Sequence, residues 1–385
     1  MKTPRGSLIS HFSRLVTQSG GINLAQGKPD FAPPRELIDL LQQHAEHPPN
    51  HQYAPGQGNL DLLELMVERH RGQIPITRDN VLILQGATEG LFLTFFYLVG
   101  RLKERGSALF FDPPYESYPE LADIMGFPRV SFDPGEDSTI DFDALARVVA
   151  DQRVKIVFLA SPGNPLGRIW NRRELSTLLD MAEDHDFHLI FDAVYREIYF
   201  DEPPADPLEI AREKGLFSRL FTIHSFSKML SITGWRVGSV IAEQSHMERL
   251  RAIHDYTGLS APSLFQIAIA DYLKRHDFGA DHCASVRRRC AANYRRMVPA
   301  LERLDFDLPT IQGGYFLWAR LPRPWTDGLR FADALYRRVG VGVVPGENFS
   351  PRKKDHIRLN MALDEQLIGQ ALVRFADFLE TDPRS

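Results

Sequence analysis

The sequence has few of the features that mark secreted, membrane-bound or nucleic-acid-binding proteins. Only two cysteines, Cys283 and Cys290, occur in 385 residues, so we expect a reducing compartment rather than a disulfide-stabilised fold. No apolar run approaches the roughly 18 residues of a membrane span, and the N-terminus lacks the apolar core of a signal peptide. A net charge of −5 gives no reason to expect nucleic acid as a partner. We therefore predict a soluble, cytoplasmic protein.

Two kinds of site also lack their signatures. His44, His47 and His51 lie close together, but a pair of prolines interrupts them and no acidic pattern accompanies them, so we predict no metal site. The run near 341–346 contains a Gly-x-Gly pattern, but it has neither the third correctly spaced glycine nor the following helix of a dinucleotide-binding loop. That absence argues against a nicotinamide-dependent oxidoreductase.

Short apolar runs are present instead, and between residues 81 and 242 we interpret them as seven strands, mostly separated by helical stretches. Such alternation is typical of an α/β fold with a largely parallel sheet and helices on both faces. We predict a large domain at residues 45–275 and a smaller α/β domain formed by residues 1–44 and 276–385. The clearest apolar runs are 81–84, 108–111, 156–160, 188–191, 220–223 and 239–242.

The same patterns predict elements outside these runs. Apolar periodicity indicates helices near 8–17, 60–69 and 90–98. Further strands are predicted at 312–318, 341–346 and 356–360, followed by a C-terminal helix.

One loop carries a lysine and an arginine at the end of a predicted strand. Ser225, Ser227 and Lys228 directly follow the run 220–223, and Arg236 lies eight residues beyond the lysine. Ligands of open α/β sheets bind at such strand ends. An arginine fork and serine hydroxyls suit a phosphate, and a lysine amine shielded from water beside positive charge becomes a nucleophile toward carbonyls. The pattern indicates a Schiff-base lysine beside a phosphate site; the alternative is a solvated lysine and a surface arginine.

A glycine turn has the geometry of an anion site. The strand 81–84 leads through Gly86, Ala87 and Thr88 into an apolar helix. This arrangement directs free backbone N–H groups at an anion. A plain strand-to-helix connection is the alternative.

These residues also carry a family resemblance. SFSK at 225–228, followed by TGWRVG at 233–238, resembles the lysine motif of the class I/II aminotransferases, which are fold type I enzymes that use pyridoxal 5'-phosphate. GATEGL at 86–91 is similar to the phosphate-binding turn of that family. The resemblance implies that Lys228 carries the cofactor as a Schiff base. It also implies that the cofactor phosphate is bound by Ser225 and Arg236, with Gly86, Ala87, Thr88 and Ser227 among the cofactor-binding residues.

Three more motifs resemble the parts of the family that hold the pyridine ring. DPPYESY at 112–118 gives Tyr115 the position against the ring face. SPGNPLG at 161–167 resembles the family's Asn-Pro-Thr-Gly loop, although a leucine replaces the usual threonine. This resemblance implies that Asn164 donates a hydrogen bond to the phenolic oxygen of the pyridine ring. DAVYREI at 192–198 departs from the family by an alanine in place of glutamate. It keeps the aspartate and the tyrosine. The resemblance therefore implies that Asp192 pairs with the ring nitrogen and that Tyr195, like Asn164, contacts the phenolic oxygen.

The resemblance extends to the substrate and to a second subunit. NLAQGKPDF at 23–31 resembles the kynurenine, glutamine and methionine branch, and it implies that Gly27 lies beside the substrate carboxylate. Arg358, by default a solvated arginine on an edge strand, would bind that carboxylate with Asn164 nearby. Tyr53, in a Tyr-x-Pro-x-x-Gly pattern, would reach the phosphate of the neighbouring subunit. We therefore expect a homodimer.

The expected function is amino transfer from a neutral L-amino acid, resembling methionine, glutamine or an aromatic amino acid, to a 2-oxo acid. A pyridoxal-phosphate-dependent C–S β-lyase is the alternative, because both reactions share every residue through removal of the Cα proton. A regulator that uses such a domain as a ligand sensor would need a DNA-binding module. About forty residues before the motifs are too few for that module.

Overall fold

A computed structural model describes residues 6–70, 74–135 and 139–381. The strands in these ranges are short, and most of them are followed by helices. They are β1 Ile22–Asn23, β2 Val81–Leu84, β3 Ser107–Phe111, β4 Arg129–Phe132, β5 Val154–Ala160, β6 His188–Asp192, β7 Leu220–Ser225, β8 Gly238–Ile241, β9 Phe316–Arg320, β10 Val341–Gly342, β11 Val344–Pro345 and β12 His356–Asn360.

The helices include all those predicted from apolar periodicity. They are α1 Leu8–Ser19, α2 Arg35–Ala45, α3 Leu60–Arg69, α4 Ala87–Arg101, α5 Ser117–Ile124, α6 Phe142–Asp151, α7 Arg172–Asp184, α8 Pro207–Lys214, α9 Phe226–Met229, α10 Gln244–Thr257, α11 Ser263–Arg275, α12 Ala280–Glu302, α13 Gly328–Val339 and α14 Glu365–Glu380. Within the described ranges, none of them is both long enough and apolar enough to cross a membrane.

The large sheet of the described chain has seven strands in the order β2, β8, β7, β6, β5, β3 and β4. β8 runs antiparallel to both of its neighbours, and the other pairs are parallel. Val81 and Ile83 lie in one apolar cluster, whereas Leu82 and Leu84 lie in another. Alternate side chains of a strand point to opposite faces, so both faces of the sheet are packed. The predicted α/β fold with a mostly parallel seven-stranded sheet is confirmed.

The seventh strand, β4, differs from the apolar runs that mark the other six. It lies at the edge of the sheet, next to β3. Arg129 and Ser131 are exposed while Phe132 is buried. A strand packed on one face alternates polar and apolar residues, so it gives no continuous apolar run in the sequence.

A smaller unit packs around a three-stranded antiparallel sheet of order β11, β12 and β9. Its core draws apolar side chains from α1, α12, α13 and α14. The strand predicted at 312–318 begins only at Phe316, because Gly314 takes a left-handed φ of 71° just before it. The single strand predicted at 341–346 is wrong in extent, since two short strands pair with different partners.

The bounds of the two domains remain a prediction. Leu37 and Leu40 of α2 lie in the apolar cluster of the large sheet, although the predicted boundary assigns residues 1–44 to the small domain. Helix α12 contributes to both cores, because Cys283 lies in the large cluster and Cys290 lies in the small one. Both cysteines are free and buried.

Candidate functional site

A cavity of about 290 Å³ opens where the parallel strands of the large sheet end. Its wall combines residues from both cores, and it brings together twelve of the residues that the sequence singled out. These are Gly27, Ala87, Thr88, Tyr115, Asn164, Asp192, Tyr195, Ser225, Ser227, Lys228, Arg236 and Arg358. Residues far apart in the chain therefore meet at the carboxyl edge of the sheet, as expected for an open α/β fold.

Lys228 projects into this cavity from the short helix α9, which directly follows β7. Ser225 forms the N-cap of that helix, and its hydroxyl accepts a hydrogen bond of 3.2 Å from the backbone N–H of Ser227. The Nζ atom of Lys228 donates a hydrogen bond to the carbonyl oxygen of Gly27. The lysine amine is thus held at the junction of the two cores.

The surroundings of Lys228 lower the pKa of its amine to about 8, chiefly because burial removes water from the charged form. The positive charges of Arg358 and Arg236 lower the pKa further, while the carboxylate of Asp192 opposes them. A lysine with such a pKa has an appreciable neutral fraction near neutral pH. The neutral amine can act as a nucleophile or as a base.

Arg236 lies against the glycine turn at the start of α4. Its Nη1 donates to the carbonyl oxygen of Thr233 at 3.0 Å, and its Nη2 donates to that of Gln85 at 3.4 Å. Gly86 has a φ of 85°, and a Cβ built there would stand 2.6 Å from Nη2 of Arg236. A glycine is therefore needed both for the turn and for the close approach of the guanidinium.

The same turn leaves backbone donors available. Gly86 is the N-cap of α4 and has no side chain to cap it. The first N–H groups of a helix lack intrahelical acceptors and carry the positive end of its dipole. With the Arg236 guanidinium and the hydroxyls of Thr88, Ser225 and Ser227, this end of the cavity suits an anion such as phosphate.

Asp192 is the last residue of β6 and is buried at the floor of the cavity. The hydroxyl of Tyr118 donates to Oδ2 of Asp192 at 2.7 Å, and the backbone N–H of Val194 donates to Oδ1 at 3.0 Å. Burial raises the pKa of Asp192, while these two hydrogen bonds and the charge of Lys228 oppose that rise. These two donors orient the carboxylate, and its oxygens can still accept a hydrogen bond from a ligand.

Arg358 is almost fully buried, with 1% of its surface exposed. It lies on β12, which β11 and β9 flank, so the default expectation of a solvated arginine on an edge strand is wrong. Nη1 donates to Oδ1 of Asn164 at 3.0 Å, and Nη2 donates to the carbonyl oxygen of Ala25 at 2.7 Å. The guanidinium carbon lies 4.1 Å from the centroid of the Phe316 ring.

This arginine has capacity left for an anion. Among the described residues, Nε of Arg358 has no hydrogen-bond partner. Burial lowers the pKa of Arg358 to about 10, which leaves the side chain cationic at neutral pH. A buried arginine without a carboxylate partner is costly unless a ligand supplies the negative charge. The arrangement suits the carboxylate of a small substrate.

Tyr115, Tyr118 and Tyr195 form an aromatic part of the cavity wall, and Tyr315 contacts Tyr195. The hydroxyl of Tyr315 donates to the carbonyl oxygen of Gly27 at 3.2 Å, and its ring lies edge to face with that of Tyr195, at 5.2 Å between centroids. Burial raises the pKa of both Tyr115 and Tyr195. These phenols therefore stay protonated and can serve as hydrogen-bond donors.

Two predicted site residues, Gly86 and Tyr53, are not among the residues lining this cavity. Gly86 lies against the lining residue Arg236, whereas Tyr53 is a surface residue. Its side chain is 85% exposed, which is unusual for a large aromatic residue. Its expected contact is with the neighbouring subunit, so that role stays a prediction. The two departures from the family motifs, Leu166 and Ala193, are not among the residues lining the cavity.

Sequence reasoning missed several residues of the site. Tyr118 and Tyr315 donate to the groups described above, and α1 contributes Ile9 and Ser10 to the wall. Glu116 also lines the cavity. Tyr118 had a usable signal, because it lies three residues after Tyr115 in the same motif; α1 had none, since a helix pattern does not reveal its tertiary neighbours.

Comparison with known proteins shows which family the chain belongs to. The model of the family described as aminotransferase class I and II matches residues 19–375. A probable N-succinyldiaminopimelate aminotransferase of Mycobacterium tuberculosis is 30% identical over 351 residues, which cover 89% of this chain and 86% of that protein. A methionine aminotransferase of Escherichia coli is 28% identical, over 96% of this chain and 95% of that protein.

A solved structure shares the fold over nearly the whole chain. The N-succinyldiaminopimelate aminotransferase structure from Mycobacterium tuberculosis superposes with a TM-score of 0.88 at 27% identity, over 97% of each chain. The resemblance noted in the lysine motif is therefore confirmed at the level of the family. This chain belongs to the class I and II aminotransferases and is an enzyme that acts on amino acids and 2-oxo acids.

Proposed function

We propose that this aminotransferase uses pyridoxal 5'-phosphate to move the amino group of a neutral L-amino acid to a 2-oxo acid. The observation that carries the proposal is the setting of Lys228, whose amine lies near Arg236, Arg358 and Asp192 and has its pKa lowered to about 8. A lysine in such a setting is suited to bind an aldehyde reversibly.

The residues present fit the cofactor. Two glycines let the residues at its anionic end pack closely. A Cβ on Gly86 would stand 2.6 Å from Nη2 of Arg236, and a Cβ on Gly238 would stand 2.6 Å from the carbonyl oxygen of His224 and 3.0 Å from the backbone nitrogen of Ala87. The α4 N-terminus, Ser225, Ser227 and Arg236 would bind the phosphate. When bound, pyridoxal phosphate supplies a conjugated ring that stabilises negative charge at the substrate Cα.

Four residues would hold the ring in place. Tyr115 would lie against its face, while Asn164 and Tyr195 would hydrogen-bond its phenolic oxygen. Asp192, oriented by Tyr118 and Val194, would keep a proton on the ring nitrogen by pairing with its positive charge. The electrostatic attraction between the buried carboxylate and the ring nitrogen would be stronger than in water, because the surroundings screen the charges weakly.

Lys228 would also move the proton at the substrate Cα. Its lowered pKa favours the neutral amine, and a base with a pKa close to the working pH is efficient in both directions of proton transfer. The hydrogen bond to Gly27 fixes the amine beside Arg358, where the substrate carboxylate would bind. Binding and proton transfer would therefore take place at adjacent points of the cavity.

The charges in the cavity favour a neutral donor. Lys228, Arg236 and Arg358 are the cations among the described lining residues, and each already has a role with the cofactor or the α-carboxylate. None is left to bind a second carboxylate. The similarity to an enzyme described as methionine aminotransferase agrees with a neutral, methionine-like, glutamine-like or aromatic donor.

A panel of amino donors tests this function. Purified holoenzyme is incubated with each donor and with each of several 2-oxo acids, and the new 2-oxo acid and ammonia are measured separately. We expect transfer that requires both partners and that is fastest with neutral donors. Release of ammonia and pyruvate from a sulfur-containing donor without any acceptor would instead show the β-lyase reaction.

A further inference from the structure

Glu116 lines the cavity and has no role in the proposed chemistry. The Oγ of Ser7 donates to both carboxylate oxygens, at 2.9 and 3.0 Å. The Nδ2 of Asn348 donates to Oε2 at 2.7 Å, and Oδ1 of the same asparagine accepts from the backbone N–H of Leu8. Two separate segments, at residues 7–8 and at Asn348, therefore hold this one side chain in place.

The partners of Glu116 orient its charge without neutralising it. A hydroxyl and an amide are neutral donors, and within residues 6–70, 74–135 and 139–381 no lysine, arginine or histidine forms an ion pair with it. The side chain is half-buried. A negative charge in such a position acts on a ligand in the cavity with less screening than a charge on the open surface.

The position of Glu116 completes the charge pattern of the cavity. The other acid that lines the cavity is Asp192, which would pair with the ring nitrogen of the cofactor. Ile9 and Ser10 directly follow the segment that Ser7 ties to Glu116, and they line the same cavity. This part of the wall thus combines an apolar side chain, a hydroxyl and a carboxylate. The carboxylate has no ion-pair partner among the described residues, but its charge acts on Arg358 and raises the pKa of that guanidinium.

We propose that Glu116 determines substrate specificity by excluding amino and oxo acids whose side chains are negatively charged. This inference rests on the proposed function and narrows its substrate class to side chains that are neutral or that donate hydrogen bonds. A second carboxylate would meet the like charge of Glu116, and the cation on which Glu116 acts, Arg358, would already bind the α-carboxylate. An amide of the same shape would not be repelled. Discrimination by an unfavourable group is an effective way to reject a substrate that otherwise fits.

The test uses L-glutamine and L-glutamate, which have nearly the same shape and differ in charge. The ratio of their kcat/KM values is measured for single turnovers of the wild-type holoenzyme and of Glu116→Gln. We expect the preference for glutamine over glutamate to fall about tenfold in the variant, mainly because glutamate reacts faster. Glu116→Asp keeps the charge and should retain most of the preference.

Glu120→Gln provides a matched control, because Glu120 is exposed on α5 and is not among the residues lining the cavity. It removes the same charge four residues away and should leave the ratio unchanged. The dissociation constants of glutarate and glutaramate, measured by calorimetry, give the same comparison without turnover. An equal ratio in Glu116→Gln and wild type, including equal failure to bind either compound, would overturn the proposal. An equal fall in Glu120→Gln would do the same.

Failure of this inference is distinguishable from failure of the proposed function. If the wild-type protein forms no violet-absorbing complex with pyridoxal phosphate, the proposed function is wrong. If the complex forms and neutral donors react but the preference does not depend on residue 116, only the role of Glu116 is wrong. The absorption spectrum of each variant is therefore recorded before its kinetics.

Discussion

The phenol of Tyr118 donates a 2.7 Å hydrogen bond to the carboxylate of Asp192, which lies 74 residues away in the sequence. Tyr118 is buried, and its ring stacks on Phe158 with 5.1 Å between centroids. Burial also raises the pKa of Tyr118 well above its usual range, so the phenol remains a donor. The packing of one aromatic ring thus fixes the direction of the carboxylate at the floor of the site.

Replacing Tyr118 by phenylalanine removes this donor and keeps the packing. A hydrogen bond to a charged group contributes about 1.5–3 kcal/mol, so we expect pyridoxal phosphate to bind about ten- to a hundredfold more weakly. In the wild type the hydrogen bond from Tyr118 lowers the pKa of Asp192, so its loss should raise that pKa. The acid side of the pH–rate profile should then move to higher pH. Titration of the cofactor followed by absorbance measures the first effect.

Tyr97→Phe is the matched control for that experiment. Tyr97 is also buried, and its hydroxyl bonds to His246, a residue that does not line the cavity. It should lower stability without altering cofactor affinity or the pH profile. Identical cofactor affinity in Tyr118→Phe and wild type would contradict the proposed role of Tyr118.

The pKa of Lys228 predicts how fast cofactor-free protein captures pyridoxal phosphate. Only the neutral amine attacks an aldehyde, so the second-order rate constant should rise about tenfold per pH unit below the pKa and level off above about 8. An ordinary lysine would level off more than two units higher. Stopped-flow absorbance from pH 6 to pH 10.5 measures this profile.

A change at Arg358 tests the cause of that low pKa. In Arg358→Gln a positive neighbour is lost, so the pKa of Lys228 should rise and the levelling point should move to higher pH. A profile that is the same in the variant and the wild type would show that Arg358 does not contribute to the low pKa of Lys228.

Arg358 should also distinguish substrates by their carboxylate. Truncating one partner of a buried, hydrogen-bonded charge pair costs about 2–5 kcal/mol, so Arg358→Lys, which loses the planar fork, should lower kcat/KM for amino acids by about thirtyfold or more. Amines that lack a carboxylate should react equally slowly with both proteins. Arg320→Lys is a suitable control, because Arg320 lies on the adjacent strand β9 and pairs with Asp355 outside the cavity.

The family resemblance of the Tyr53 motif predicts that two chains share each site, and the exposed side chain of Tyr53 is compatible with that role. Tyr53→Phe should bind pyridoxal phosphate more weakly, and Lys228→Ala should be inactive. If Tyr53 acts across a dimer interface, mixing the two variants creates hybrid dimers with one intact site, and about a quarter of the wild-type activity should return. No recovery on mixing, or a monomer in sedimentation velocity, would contradict the shared site.

Sequence patterns predicted the parts of the site that follow strand ends. Asp192 is the last residue of a buried strand, whereas Lys228 and the glycine turn at Gly86 lie within three residues after one. Parallel strands end at a common edge. The fold was predictable for the same reason, because continuous apolar runs mark strands buried on both faces.

The residues contributed by tertiary packing were not predictable in this way. Arg358 belongs to a strand whose burial depends on both neighbouring strands, and the local sequence does not state that order. The contacts of Glu116 with Ser7 and Asn348 join segments 109 and 232 residues apart. Periodicity and turn signals act over a few residues, so they carry no information on such contacts.

The two cysteines of α12 provide an internal probe of unfolding. Cys283 and Cys290 are buried in different apolar cores, and burial raises the pKa of each thiol to about 12. Alkylating reagents attack the thiolate, so each residue should be labelled only after its own core opens. Mass spectrometry of the two labelled peptides would therefore show which apolar core opens first, without any substitution in the chain.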